Sequence, residues 1–285
     1  MNKAPSQPVY VLLTKVGDLL QNSGGLSASI ALHREGTDNL GARIFGGFVL
    51  GALVCVSASA VSFEELHKRA EQVQREYDLP LAEALMGELQ LFVIENPSGE
   101  SRMTLARVAL LVAELRRMDY ETTDVDPREK RLLGRTIDEA ARIGHEVLNK
   151  VPNISEKWRI KADLIGTMIR SKYKGNKYSG EMDKATEKAL ELDPENANAI
   201  VTGCKRGLFA KRAQGGDVPA ALEMLNRALD IDPDHERALI FRGIAHEKLG
   251  NDDLAEEDWK RALELNPRSR LAKENLRSMN GGTDY

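Results

Sequence analysis

The sequence is poor in the residues that cross-link, coordinate metals or attack substrates. Its 285 residues contain two cysteines. Cys55 lies inside an apolar run and Cys204 inside an amphipathic stretch, so they are not expected to pair and no disulfide framework is implied. An exported helical protein can do without one, so cysteine usage leaves the compartment open. The five histidines are His33, His67, His145, His235 and His246. None stands at metal-ligand spacing from another. The catalytic and nucleotide signatures G-x-S-x-G, Walker A, G-x-G-x-x-G at a strand-to-helix turn, and H-E-x-x-H do not occur. Gly215-Gly216-Asp217 resembles a fragment of a phosphate loop, but a turn followed by an aspartate helix cap explains it more simply. Glu64-Glu65 and Glu256-Glu257-Asp258 fit solvated helix faces better than catalytic acid pairs. No catalytic, cofactor-binding or metal-binding residue is therefore assigned. A basic surplus is also lacking. The net charge is −4, with about +1 in residues 1–60 and about −5 in the remainder. Nucleic acid is thus not the expected partner.

What the sequence does have is a phrase written three times near its C-terminus. It reads Lys188-Ala189-Leu190-Glu191-Leu192-Asp193-Pro194, then Arg227-Ala228-Leu229-Asp230-Ile231-Asp232-Pro233, then Arg261-Ala262-Leu263-Glu264-Leu265-Asn266-Pro267. Pro233 and Pro267 are 34 residues apart. Between Glu236 and Pro267, Ala238, Leu239 and Gly243 belong to a first helix and Leu249-Gly250-Asn251 to a turn with glycine as C-cap residue. Ala255, Trp259 and Ala262 form one stripe of a second helix, and Pro267 ends the unit. This pattern and period resemble a tetratricopeptide repeat, a helix-turn-helix unit that must stack to bury its apolar face. Arg242 and His246 depart from the pattern, at sites usually apolar and aromatic.

The preceding unit, about Ala197 to Pro233, keeps Gly216, Ala221, Leu225, Ala228 and Pro233. It is five residues longer, and the surplus is placed at Lys211–Gly215 as a helix extension or wider turn. The unit ending at Pro194 is looser, with a glycine- and lysine-bearing connector expected at Lys172–Gly180. Ala140, Gly144, Val147 and Pro152 fit a further, degenerate second helix.

Upstream, helices are expected from Ser62 (paired with Glu65 as a capping box) to about Tyr77, and over Leu81–Glu95, with Leu79-Pro80 as a break. Further helices are expected over Met103–Met118, from Pro127 to about Lys150, and over Ser155–Lys172. Arg268–Met279 reads as a capping helix. The expected fold is thus all-α: a solenoid of tetratricopeptide-like helix-turn-helix repeats, preceded by an N-terminal hydrophobic signal or anchor helix. The expected organisation is a tail or mis-assigned start at 1–43, a signal peptide or transmembrane anchor at 44–63, a degenerate helical region at 64–153, repeats with a capping helix at 154–279, and a tail at 280–285.

Ile44–Phe63 is 20 residues without a charge, preceded by Arg43 and followed by Glu64-Glu65. That length can span a bilayer, and the flanking charges direct the downstream chain out of the cytoplasm. Ala58-Ser59-Ala60 offers a signal-peptidase site after Ala60. A retained anchor and a buried helix of a cytoplasmic protein are the other two readings.

The family resemblance implies binding along a concave face built from the first helix of each unit. The corresponding positions are Asn198, Val201 and Lys205 in one unit and Arg237, Ile240, Ile244 and Glu247 in the next. They describe a mixed apolar and polar groove for an extended peptide or a helix. Ile240 and Ile244 stand where the family's carboxylate clamp needs basic and Asn side chains, which argues against a chaperone-tail adaptor. Lys205, Arg206, Lys211 and Arg212 form a local basic run. The expected function is a non-enzymatic scaffold at a bacterial cell envelope, periplasmic or anchored in the inner membrane through 44–63, holding a protein or peptide. The alternative is an accessory ligand-binding protein of a transport system.

Overall fold

The computed structural model describes residues 61–279 and residue 281. The tail at 1–43 and nearly all of the apolar run lie outside the described residues. Among the described residues no helix is long and apolar enough to cross a membrane. Eleven α-helices follow one another there, without a strand: α1 Phe63–Glu76, α2 Leu79–Glu95, α3 Gly99–Thr122, α4 Pro127–Leu148, α5 Ser155–Met168, α6 Lys172–Leu192, α7 Ala197–Phe209, α8 Val218–Ile231, α9 Glu236–Lys248, α10 Asp252–Leu265 and α11 Arg270–Met279.

Short polar side chains set the helix starts by accepting amide protons that no helical carbonyl can reach. Ser62 caps α1 through Glu65 N at 3.2 Å, and Asp78 caps α2 through Leu81 N at 3.0 Å. Pro80 therefore does not break a helix. It sits in the first turn of α2, where its missing N–H costs nothing. Ser98 and Ser101 cap α3 reciprocally, and Asp126 caps α4 through Arg128 N and Glu129 N.

The expected connector at Lys172–Gly180 is instead the first half of α6. Ser171 caps it, and its apolar side chains pack on α5 through Met182, Ala185 and Tyr178 against Ala162 and Ile165. Tertiary packing there overrides the weak helix propensity of two glycines. The surplus at Lys211–Gly215 is a 3₁₀ turn over Arg212–Gln214, closed by Gly215 at φ +91°.

The thrice-written phrase is one turn built three times. Asp193, Asp232 and Asn266 end α6, α8 and α10, and each side chain accepts the amide two residues on, from Glu195, Asp234 and Arg268. The proline between cannot continue the helix. In the first two copies, three residues after the Asp, the next helix is capped. Asn196 accepts from Ala199 N at 3.0 Å, and the His235 ring Nδ1 accepts from Ala238 N at 3.2 Å. The alanine of the phrase (Ala189, Ala228, Ala262) has no exposed surface in any copy, which lets the second helix lie close to the first.

Consecutive helices pack as antiparallel pairs, and the odd-numbered helices also pack on one another in order: α1 on α3, α3 on α5, α5 on α7, α7 on α9, α9 on α11. The even-numbered helices touch their neighbours in sequence but not each other. The result is two layers, an inner one of odd helices and an outer one of even helices. In the best-matched unit, Trp259 of α10 is wholly buried and its indole N–H donates to Ile240 O at 3.0 Å. Gly243 leaves the room it occupies. A Cβ there would stand 2.8 Å from Trp259 Cδ1 and Cε2. Arg242, unexpected at its site, forks onto Asp258 at 2.6 and 2.9 Å.

Gly243→Ala should therefore destabilise the fold by about 1–3 kcal/mol through overpacking against the indole. Gly87→Ala, at an exposed position of α2 where a Cβ meets nothing within 4 Å, should stabilise by roughly 0.5–1 kcal/mol. Urea denaturation midpoints moving in opposite directions would bear this out; equal shifts would not.

Candidate functional site

The inner layer is where the groove residues lie, on α7 and α9. Val201, Ile240 and Ile244 are 1%, 2% and 7% exposed and belong to the core shared by α7, α8, α9 and α10. The mixed groove expected from the sequence is thus corrected: the apolar positions are spent on stacking inner helices, and the surface left is polar. Asn198 and Glu247 are exposed. Asn198 Oδ1 lies 3.2 Å from His235 Nε2. Lys205 and Arg237 are partly buried and turned inward, toward Asp163 of α5.

Asp163 is the centre of the inner face. Its carboxylate is fully buried and is reached by Lys205 Nζ at 2.6 Å, Arg159 at 3.0 Å, Arg237 at 3.8 Å and the Thr202 hydroxyl at 3.1 Å. Burial alone would raise its pKa, but Lys205, Arg237 and Arg159 outweigh burial and hold it well below the usual carboxylate range. Arg159 is also held by Glu156, with oxygens at 2.5 and 3.0 Å from its fork. Three cations and the carboxylates around them thus neutralise one another inside the array.

Arg237 extends the network across the inner face. It donates to Glu114 of α3 at 2.9 Å, so a residue of the fifth helix pair meets one of the second. Three further contacts join the two ends of the array. Tyr77 donates to Glu236 at 3.1 Å, Arg270 donates to Asp119 at 3.1 Å, and Arg268 stands 3.6 Å from Glu76. Tyr77 is the C-cap residue of α1 and holds a left-handed backbone at φ 53°, a costly conformation for a bulky side chain. Its hydroxyl is pushed above its ordinary pKa by burial and by Glu236, and stays a donor. The inner layer therefore curls until its first two helices, α1 and α3, meet residues of α9, α11 and the turn before α11, through side chains alone.

None of Tyr77, Glu114, Arg159, Asp163 and Glu236 was singled out from the sequence. One signal was available: Glu156, Arg159 and Asp163 stand at i, i+3 and i+7 on one face of a helix, beside the apolar Ile160 and Ala162. The basic run Lys205–Arg212 is not a unit. Lys205 points to Asp163, whereas Arg206 pairs with Asp183 and donates to Gln214 O. Gly215-Gly216-Asp217 is a turn with a cap, since Asp217 accepts from Ala220 N at 3.1 Å.

The Cys204 thiol is buried, donates to Val201 O at 3.0 Å, and is pushed by burial up to about 12, which leaves it protonated and unreactive. Among the described residues no group of three or more His, Cys, Asp or Glu is placed to hold a metal ion.

Asp163→Asn should cost about 3–5 kcal/mol, because it leaves Lys205, Arg159 and Arg237 short of their shared counter-charge. The depressed pKa of Asp163 also makes a pH-dependent contribution. Its stabilisation is complete at neutral pH and is lost as pH falls below about 4, the unfolded value, toward the lower folded one. Thermal melts from pH 7 to pH 2.5 should show a steeper acid loss for the wild type than for Asp163→Asn. Parallel curves would exclude this role.

A family model described as tetratricopeptide repeat matches residues 236–269, which is α9, α10 and the turn after it. Among curated proteins, the peptidyl-prolyl cis-trans isomerase FKBP4 of Bos taurus is 40% identical over 84 residues, 30% of this chain and 18% of that protein. The protein unc-45 homolog B of Danio rerio is 28% identical over 123 residues, 40% of this chain and 13% of that protein. The chain thus matches less than a fifth of the length of these relatives. Among solved structures, TTC0263, a thermophilic TPR protein in Thermus thermophilus, superposes with a TM-score of 0.51 at 16% identity, over 75% of this chain and 98% of that one. That likeness is one of fold. Among the described residues this chain is accordingly an all-helical repeat array whose residues 236–269 match the tetratricopeptide repeat.

Proposed function

We propose that the chain is a non-catalytic scaffold that holds a protein or peptide segment against the inner face of its helical array. One observation carries this reading: the inner face is lined by charged side chains that partner one another across the groove, Glu114 with Arg237 and Asp119 with Arg270. These pairs are a quarter to a third exposed, so each is weak and open to competition. A segment presenting its own carboxylates and amides can take over the cross-groove cations without leaving a buried charge unpaired. Asn198 and Glu247 supply further exposed polar positions on α7 and α9.

The location is part of the same proposal. The charge-free run Ile44–Phe63, with small residues at Ala58 and Ala60, supports export, with the array outside the cytoplasm and held at the membrane where the run is retained. N-terminal sequencing of the protein from fractionated cells decides this. A start at Val61 in the periplasm supports cleavage, an intact chain in the membrane fraction supports an anchor, and an intact soluble chain rules out both. For the transport alternative, the polar side chains that could line a ligand path already pair with one another around Asp163, and nothing in the arrangement favours that reading.

The binding face is tested by two pairs of substitutions, neither in the core. Glu114→Ala with Asp119→Ala should loosen the cross-groove contacts, raise the radius of gyration in solution scattering, and strengthen capture of the co-purifying partner several-fold. Asn198→Asp with Glu247→Lys should weaken the same capture by a similar factor at unchanged thermal stability. A partner bound equally by wild type and both variants does not occupy the inner face. Ile244 is unsuited to this test, because a charge at a core position would unfold the stack.

A further inference from the structure

A basic cleft lies elsewhere on the array. The C-terminal end of α3, the first half of α4, the α5–α6 junction and the start of α6 enclose a cleft of about 520 Å³. That is within the range of small-molecule and side-chain pockets. Five basic residues line it, against one carboxylate, in a chain whose net charge is −4. Part of this charge is structural. Arg170 is 7% exposed and donates to Gly134 O and to Asp138 at 2.8 Å each, while Lys174 grips the same Asp138 at 2.8 and 3.0 Å. Two cations thus share one carboxylate at the back of the cleft.

The other three basic residues stand at its mouth. Lys130 lies over the Tyr120 ring, 5.0 Å from its centre, with Arg170 also 5.6 Å from that ring. Arg131 and Arg135 are exposed, and among the described residues neither has a carboxylate within ion-pairing distance. They are four apart on α4, so their guanidinium groups project from the same face. A like-charged pair at that spacing costs a few tenths of a kcal/mol and does nothing for the fold. Two arginine forks lining a cavity with excess positive charge match the demands of a phosphoryl dianion, which takes paired N–H donors from each. A monocarboxylate would leave most of that charge unbalanced. The cleft also has many times the ~30 Å³ share of a liquid water molecule, far more than a bare oxyanion needs. Tyr120, Val125 and Pro127 give its remaining wall an apolar and aromatic character.

We propose that this cleft binds a phosphoryl group carried on an organic body, with Arg131 and Arg135 gripping the phosphate oxygens and Arg170 and Lys174 setting the field behind them. The proposal goes beyond the inner-face reading and does not depend on it. Two sources share this chemistry, a phosphorylated side chain of a protein and a free nucleotide.

The test uses the full chain and three probes followed by calorimetry: a phosphoserine dodecapeptide with its unphosphorylated counterpart, adenosine triphosphate, and inorganic phosphate. Wild type should bind at least one phosphorylated organic probe at least ten-fold more tightly than the unphosphorylated peptide and than inorganic phosphate, with affinity falling as salt rises. Preference for the phosphopeptide assigns a protein partner, and preference for the triphosphate a nucleotide. Arg131→Glu with Arg135→Glu should abolish that binding at an unchanged melting temperature, because both side chains are exposed and outside the core. Binding that survives this double substitution, or no probe bound above the unphosphorylated peptide, overturns the proposal. Neither result bears on partner capture at the inner face, which rests on α7, α9 and α3.

Discussion

A carboxylate buried in the middle helix of the inner layer organises the rest of this array. Asp163 can be ionised there only because cations come to it from three successive inner helices: Arg159 from α5, Lys205 from α7 and Arg237 from α9. An unpaired buried charge costs several kcal/mol, more than most single contacts supply. The offset between stacked helices is therefore restricted to the one that keeps all three cations in reach. Apolar packing alone tolerates small sliding, since alanine and valine surfaces are forgiving of register. A charge with defined partners is less forgiving. Once Arg237 is drawn toward Asp163, its second carboxylate, Glu114, has to be the one that the curl of the array brings opposite.

Legibility in the sequence follows the range of the interactions. The repeated phrase was readable because everything it specifies is local. The Asp or Asn side chain closes a turn onto an amide two residues away, proline stops the helix, and in the first two copies a cap three residues on starts the next. Trp259, Ala255 and Ala262 were readable for the same reason, lying on one stripe of one helix. The helical first half of α6 was not, because two glycines and a run of lysines have weak propensity, and only packing against α5 makes them helical. The inner face was misread for a related reason. Val201, Ile240 and Ile244 stand where the family's groove faces a ligand, but apolar side chains at the seam between α7 and α9 gain more by burial in the stack. Which of those two fates an apolar residue meets depends on how close the next inner helix lies, and no local pattern records that distance. Asp163 and Glu114 are 49 positions apart and Glu114 and Arg237 are 123 apart, so their association is invisible to any window of sequence.

Net charge says little about any one surface for a similar reason. A total of −4 argues against a polyanionic partner when charge is spread evenly. Here it is not. The inner face carries many charges that cancel in pairs, whereas the cleft at α4 and α6 concentrates five cations around one carboxylate. Local imbalance, not the sum over the chain, determines what an anion meets at the surface.

The inner face also has a gradient of exchangeability. Asp163 is fully buried, and no solvent can stabilise it if its partners leave, so the centre is fixed. Glu114, Asp119, Arg237 and Arg270 are roughly a quarter to a third exposed, and water and salt can replace their contacts at little cost. Tyr77 lies between these regimes. Its left-handed backbone is a small strain retained at the seam where the two ends of the array meet, and its hydroxyl reaches across that seam to Glu236. A rigid core of charge with a loosely paired rim lets a groove be closed when empty without being committed to closure. On the proposed function, a partner would have to outcompete only the rim, and the register of the inner helices would stay as Asp163 sets it.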